Sequence, residues 1–239
     1  MTEPRNDKSQ GAHVLIRVWL PDRPGALGAV ASRIGSIRAD IIGLDVLERG
    51  ESVAVDEFAV EIESLDVLEI LVREIEEVDG ASVEEVRVVA TFPDPRLDAL
   101  DSAIELCDAD SVAGLHSALV SHIRREFLAD WTALLGNGDL LAVSGDTPPD
   151  RAMLDALVAG TTASPLVADS TTGPDDLAVA GLARHAATLL VGRSGHPFRR
   201  RERAQLLALG RIADRAWELL ERSAGLAPSH STARTADHG

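Results

Sequence analysis

A strand whose apolar residues alternate runs straight into Leu20-Pro21-Asp22-Arg23-Pro24-Gly25-Ala26-Leu27, and an amphipathic helix follows at once. His13 to Trp19 reads as the strand, with Val14, Ile16 and Val18 on one face, and the helix repeats apolar residues at Leu27, Val30, Ile34 and Ile37. Pro24 pre-sets the helical backbone angle, while Gly25 removes a side chain where the chain turns, so a ligand can come close to the backbone. The first amides of a helix lack internal partners and carry partial positive charge, which favours a carboxylate or phosphate there. An ordinary turn followed by a helix start fits the same eight residues, and the two readings stand side by side at this point.

The elements downstream narrow the choice. Ala39-Asp40-Ile41-Ile42 leads into a short strand ending near Leu47, Arg49-Gly50-Glu51 reads as a turn, and a longer strand runs from Val53 to Ile62. Phe58, Val60 and Ile62 share one face of it, with Glu57, Glu61 and Glu63 around the other. A second helix is expected from about Leu65 to Val78, burying Leu68, Leu71, Val72, Ile75 and Val78, with Gly80 as its stop and a last strand from Ser82 to Ala90. The order strand-helix-strand-strand-helix-strand predicts an α+β, ferredoxin-like unit with both helices on one side of an antiparallel sheet.

That unit, with Asp-Arg-Pro-Gly-Ala-Leu in its first loop, resembles the ACT domain, a regulatory module that typically binds amino acids; the resemblance covers about residues 12–92. It implies ligand contacts from the residue opening the first loop, from a polar residue just before Arg-Pro-Gly, and from a polar residue leading the second strand. Here these are Leu20, Asp22 and Asp40, with Arg23, Pro24, Gly25, Ala26, Leu27 and Ile41 completing the implied ligand-binding set. The family often carries His at the first position and Asn at the other two, and this chain departs at all three. Asp22 and Asp40 could hold an ammonium group while the helix amides near Gly25 hold the carboxylate of the same amino acid. Alternatively, Asp22 orders the turn and Asp40 caps the strand entry.

Pro93 and Pro95 interrupt any continuing strand and place a short linker at residues 93–97. Beyond it, Leu97, Leu100, Ile104 and Cys107 form one helical stripe, read as buried, and Val112, Leu115, Leu119 and Ile123 another. Gly136-Asn137-Gly138, between Ala129–Leu135 and Asp139–Ser144, signals a hairpin. A helix is expected from Pro149 to Ala159, strands at Pro165–Ala168, Leu177–Ala183 and Ala187–Gly192, and a long final helix through Ala204, Leu207, Ile212, Ala216 and Leu219. Residues 1–11 and 223–239 have no apolar periodicity and are read as a disordered lead and tail. The hairpin, Val167-Ala168-Asp169 and Pro197-Phe198-Arg199-Arg200-Arg201-Glu202 before Leu206-Leu207 resemble, more weakly, the GAF family of sensory domains, across residues 98–222. That resemblance implies a sensory or dimerising second half with an antiparallel sheet and flanking helices.

Composition excludes several chemistries. The 239 residues carry a net charge of −16 and a single cysteine, Cys107, so no intramolecular disulfide and no multi-cysteine zinc site can form. Cys107 is read as a buried structural thiol, and its solitude suits a reducing cytoplasm. The one lysine, Lys8, lies in the lead, which argues against a phosphate-loop or Schiff-base lysine. His116 and His122 are six apart, the wrong spacing for two metal ligands on one helical face, and are read as surface or partly buried. His185 and His196 would need a further partner to act in catalysis. No catalytic constellation, metal site or cofactor motif is complete. Arg199, Arg200, Arg201, Arg203, Arg211 and Arg215 read as a solvated basic face, and the acidic balance argues against nucleic acid. No run is apolar enough to span a membrane.

The sequence therefore predicts a cytoplasmic, non-catalytic regulatory protein that binds an amino acid at its ACT-like unit and signals through its oligomer, expected to be a homodimer or larger, or through a protein partner. The alternative is a regulatory subunit or interaction module that docks on an enzyme or regulator with ligand binding weak or lost.

Overall fold

The computed structural model describes residues 11–50, 52–163, 174 and 176–226. The lead, the strand expected at Pro165–Ala168 and the Val167-Ala168-Asp169 carrier lie outside the described residues. Two compact units divide the chain, one ending at Asp98 and including Arg199–Glu202, the other built from Ala99–Phe198 and the chain from Arg203 onward.

The first unit consists of β1 (Ala12–Pro21), α1 (Ala26–Ser36), β2 (Asp40–Arg49), β3 (Val53–Ile62), α2 (Leu68–Glu76) and β4 (Ser82–Val89). A 3-10 turn, Leu65–Val67, opens α2, and the Ser64 hydroxyl caps it by accepting from the Asp66 amide. The strands form one antiparallel sheet in the order β2-β3-β1-β4, which leaves β2 at an edge. Period-two burial makes the core: Val14, Ile16, Val18 and Leu20 of β1 and Phe58, Val60 and Ile62 of β3 meet Val30 and Ile34 of α1 and Leu71 and Ile75 of α2. Gly80 takes a φ of 79°, and a side chain there would crowd Pro21, so the turn into β4 closes tightly on the end of β1.

The second unit holds α3 (Pro95–Cys107), α4 (Val112–Glu126), β5 (Trp131–Gly136), β6 (Asp139–Gly145), α5 (Arg151–Ala163), β7 (Leu177–Leu182), β8 (Ala187–Gly192) and α6 (Arg200–Leu226). Its antiparallel sheet has the order β6-β5-β8-β7. Asn137 and Gly138 take φ values of 52° and 81° and make the two-residue turn joining β5 to β6, as their side chains predict. One face of this sheet packs Leu134, Leu189 and Val191 against α4 and α6; the other packs Ala133, Leu135, Val179 and Leu190 against Leu154 of α5.

Four expectations for this half are corrected. The stripe of α3 points outward, with Leu97, Leu100 and Ile104 at 58%, 61% and 55% exposure, while Ser102 and Leu106 face the core. Cys107 is exposed rather than buried. Helical period identifies an apolar face but not which face meets the rest of the same chain. The basic face dissolves too, because Arg199 and Arg203 are buried, and Arg203 donates to the carbonyls of Phe198, Leu177 and Pro174. A planar guanidinium with five donors can satisfy several buried carbonyls at once. Finally, α6 continues to Leu226, past the start of the expected tail.

Candidate functional site

β1, the β2-β3 hairpin and the turn before β4 all meet at the same end of the first sheet, because antiparallel pairing places Leu20 opposite Ala54, Ala54 opposite Arg49 and Trp19 opposite Ser82. The loop Pro21–Gly25 sits there. Asp22 is fixed at both ends: its amide donates to the Ser52 carbonyl at 2.9 Å, and its Oδ1 accepts from Arg49 Nη2 at 2.8 Å. Arg23 reaches toward Asp79 at 3.7 Å, both side chains open to water.

Gly25 is the N-cap of α1, with φ 89° and ψ −13°, and provides no side-chain cap to the first helical amides. A Cβ at this glycine would meet no atom within 4 Å, so the position needs glycine for its backbone angle and not for lack of room. Pro24 and Leu27 are exposed beside it. Leu20 and Ala26 are buried, Leu20 within the core of the first unit.

Asp56 is the residue at this end that the sequence reading overlooked. It lies on the Phe58, Val60, Ile62 row of β3, is 4% exposed, and its Oδ1 has no hydrogen-bond partner among the described residues. Its register neighbours are Val18 on β1 and Val46 on β2. Burial pushes its carboxyl above the usual range; the positive charge of Arg49 opposes that and the negative charge of Asp22 adds to it. One arginine therefore stands among two carboxylates, one of them desolvated, next to an uncapped helix start. Such a place attracts a cationic group at its acidic side and a carboxylate at its amides.

Asp40 and Ile41 are not brought to this place. Asp40 opens β2 opposite Glu61, which in turn faces His13, so it occupies the other end of the sheet from Asp22. Two irregularities in β2 leave seven β3 steps between the partners of Asp40 and Arg49, Glu61 and Ala54, a span of roughly 23 Å. A single chain cannot close Asp22 and Asp40 on one ligand. Ile41, 38% exposed, lies on the free edge with Ile42, Leu44 and Val46.

In the second unit, His185 Nδ1 donates to Asp214 Oδ1 at 2.7 Å and its ring stacks on Trp217 at 4.0 Å. His116 meets the same indole edge-on at 4.1 Å, and Trp217 Nε1 donates to Glu221. His122 donates to Glu105 at 2.7 Å. His116 and His122 are 6% and 8% exposed, more buried than their spacing suggested, because helix α4 presents both to the core side. An open cavity of about 740 Å³ nearby is walled by Ile212, Leu219 and Leu220 and rimmed by Arg184, Arg211 and Arg215. Among the described residues no group of three or more His, Cys, Asp and Glu could hold a metal ion, and no helix is long and apolar enough to cross a membrane.

No family model and no curated protein matches the chain. Among solved structures it is similar to the ACT domain from GTP pyrophosphokinase of Chlorobium tepidum. The solution structure of that domain is 16% identical, with 34% of this chain and 88% of that chain covered and a TM-score of 0.27. Its crystal structure is likewise 16% identical, covering 33% and 99%, with a TM-score of 0.28. Over 90% of its length, and 94% of the other chain, it is also similar to an unknown protein from Galdieria sulphuraria, at 13% identity and a TM-score of 0.32.

Proposed function

We propose that the protein is a non-catalytic regulatory protein whose first unit binds an amino acid at the loop following β1. One observation carries the reading: Asp22, Arg49 and the buried Asp56 gather near a helix start whose N-cap, Gly25, gives the first amides no side-chain cap, the Ala26 amide alone turning back to the Arg23 carbonyl. An ammonium group meets the carboxylates and the carboxylate of the same ligand meets the amides, so both ends of a zwitterion are matched. In a two-fold pairing of β2 with its own copy the strands run antiparallel, which carries Asp40 of the partner subunit toward the Arg49 end of this chain. The contact that one chain cannot make is then available in a homodimer.

A thermal-shift screen of the twenty amino acids tests the reading. Ligand at one hundred times its dissociation constant stabilises the fold by about 2.7 kcal/mol, which moves the melting midpoint by several degrees. Calorimetric titration should then show Asp22→Ala weakening that amino acid about tenfold or more, the loss expected for one charge-assisted hydrogen bond. A second reading, a module that docks on an enzyme or regulator, is favoured by the exposed apolar edge of β2. It takes precedence if no amino acid shifts the midpoint.

A further inference from the structure

β3 is buried along one row of alternate residues, Ala54, Asp56, Phe58, Val60 and Ile62, none of them more than 7% exposed. Four are apolar and one is a carboxylate. An acid on the helix-facing row is costly to bury unless something neutralises it. Among the described residues nothing in the resting chain does so fully, since Asp56 Oδ1 makes no hydrogen bond. Arg49, the nearest source of positive charge, gives its Nη2 to Asp22 instead.

The strand register places this orphaned oxygen toward the loop end of the sheet, two steps along β3 from the Leu20–Ala54 pair, where the charges of Arg49 and Asp22 reach it. From these observations we infer that Asp56 is the anchor for the ammonium group of the ligand, with Asp22 at the rim and the uncapped amides of α1 taking a carboxylate when the ligand has one. This rests on the proposed amino-acid site and adds to it the chemical class that the site demands: a primary ammonium compound, with the carboxylate secondary. A buried, unsatisfied acceptor calls for a physical explanation, and a donor brought by a ligand is one.

The test uses the full-length protein with two panels in the same thermal-shift format, the twenty amino acids and the primary amines that result from removing their carboxyl groups. Asp56→Asn keeps the shape and deletes the charge. At neutral pH it should melt higher than wild type without ligand, because a buried uncompensated carboxylate is gone, and it should bind the best compound at least tenfold more weakly. Circular dichroism checks that the variant folds. Should it not fold, the carboxyl 13C resonance of Asp56 in the wild-type protein should move on addition of that compound. Equal affinity in Asp56→Asn, or an unmoved resonance, overturns the anchor while leaving the amino-acid reading intact. Binding of amines but not of amino acids supports the anchor and overturns that reading. Wild-type protein that binds neither panel overturns both.

Discussion

Gly25 shows how much a single residue contributes to this site and what kind of contribution it is. Its φ of 89° is a region that costs an L-residue about 1–2 kcal/mol, and no neighbour would touch an added Cβ. Gly25→Val should therefore lower the melting midpoint by a few degrees through backbone strain, measurable by differential scanning calorimetry, and a variant as stable as wild type would mean the loop relaxes freely. Asp22 and Gly25 were legible in the sequence because Pro-Gly between a strand and a helix has a local meaning. Asp56 was legible in principle: counting back by twos from Phe58 reaches it. The adjacent Glu57 and the outward glutamates hid it, since an acid in an alternating strand is first assigned to the wet face. The place of Asp40 within one chain was not legible for a different reason. Its chemistry matched Asp22, but which end of the sheet a residue occupies depends on strand direction, and β2 starts at the far end.

Among the elements, the strands and helices of the first unit follow from their periodicities, and β3 begins and ends where its alternation does. The outward stripe of α3 marks where that method stops, because apolar period reports a preference for burial without naming the surface that satisfies it. Helix α4 carries a prediction of its own. His116 is buried with its Nε2 unpartnered among the described residues, and its pKa is lowered, chiefly by burial, then by the neighbouring His185, with Glu221 acting in the opposite sense. The unfolded chain then takes up a proton near pH 6.5 more readily than the folded one. Stability contributed by neutral His116 is full above that pH and falls as the pH drops from about 6.5 toward the lower folded value. Melting curves between pH 7.5 and 5 should show a shallower acid loss for His116→Gln than for wild type; parallel curves would mean that the ring titrates normally.

At the scale of the whole molecule, the edge strand of the first sheet is where the expected pairing of copies is tested. Ile41, Ile42, Leu44 and Val46 are 38–54% exposed along β2, an apolar row with unpaired backbone groups that soluble proteins cover. Light scattering at micromolar concentration should give twice the 25.3 kDa chain mass, and Ile42→Lys should return it to a single chain. A monomeric wild type would remove both the proposed pairing and the proposed contribution of a second copy's Asp40 to the site. The chain divides after Asp98, with Arg199–Glu202 joining the first unit, and the sensory character expected of the second half rests on motifs of which Val167-Ala168-Asp169 lies outside the described residues. Cys107, exposed and the chain's only thiol, gives the protein a property that its fold does not itself use. A maleimide dye or a gold surface would attach at one known atom, in the unit that does not hold the β1 loop, so native protein could be tethered in a single orientation with its candidate site unmodified.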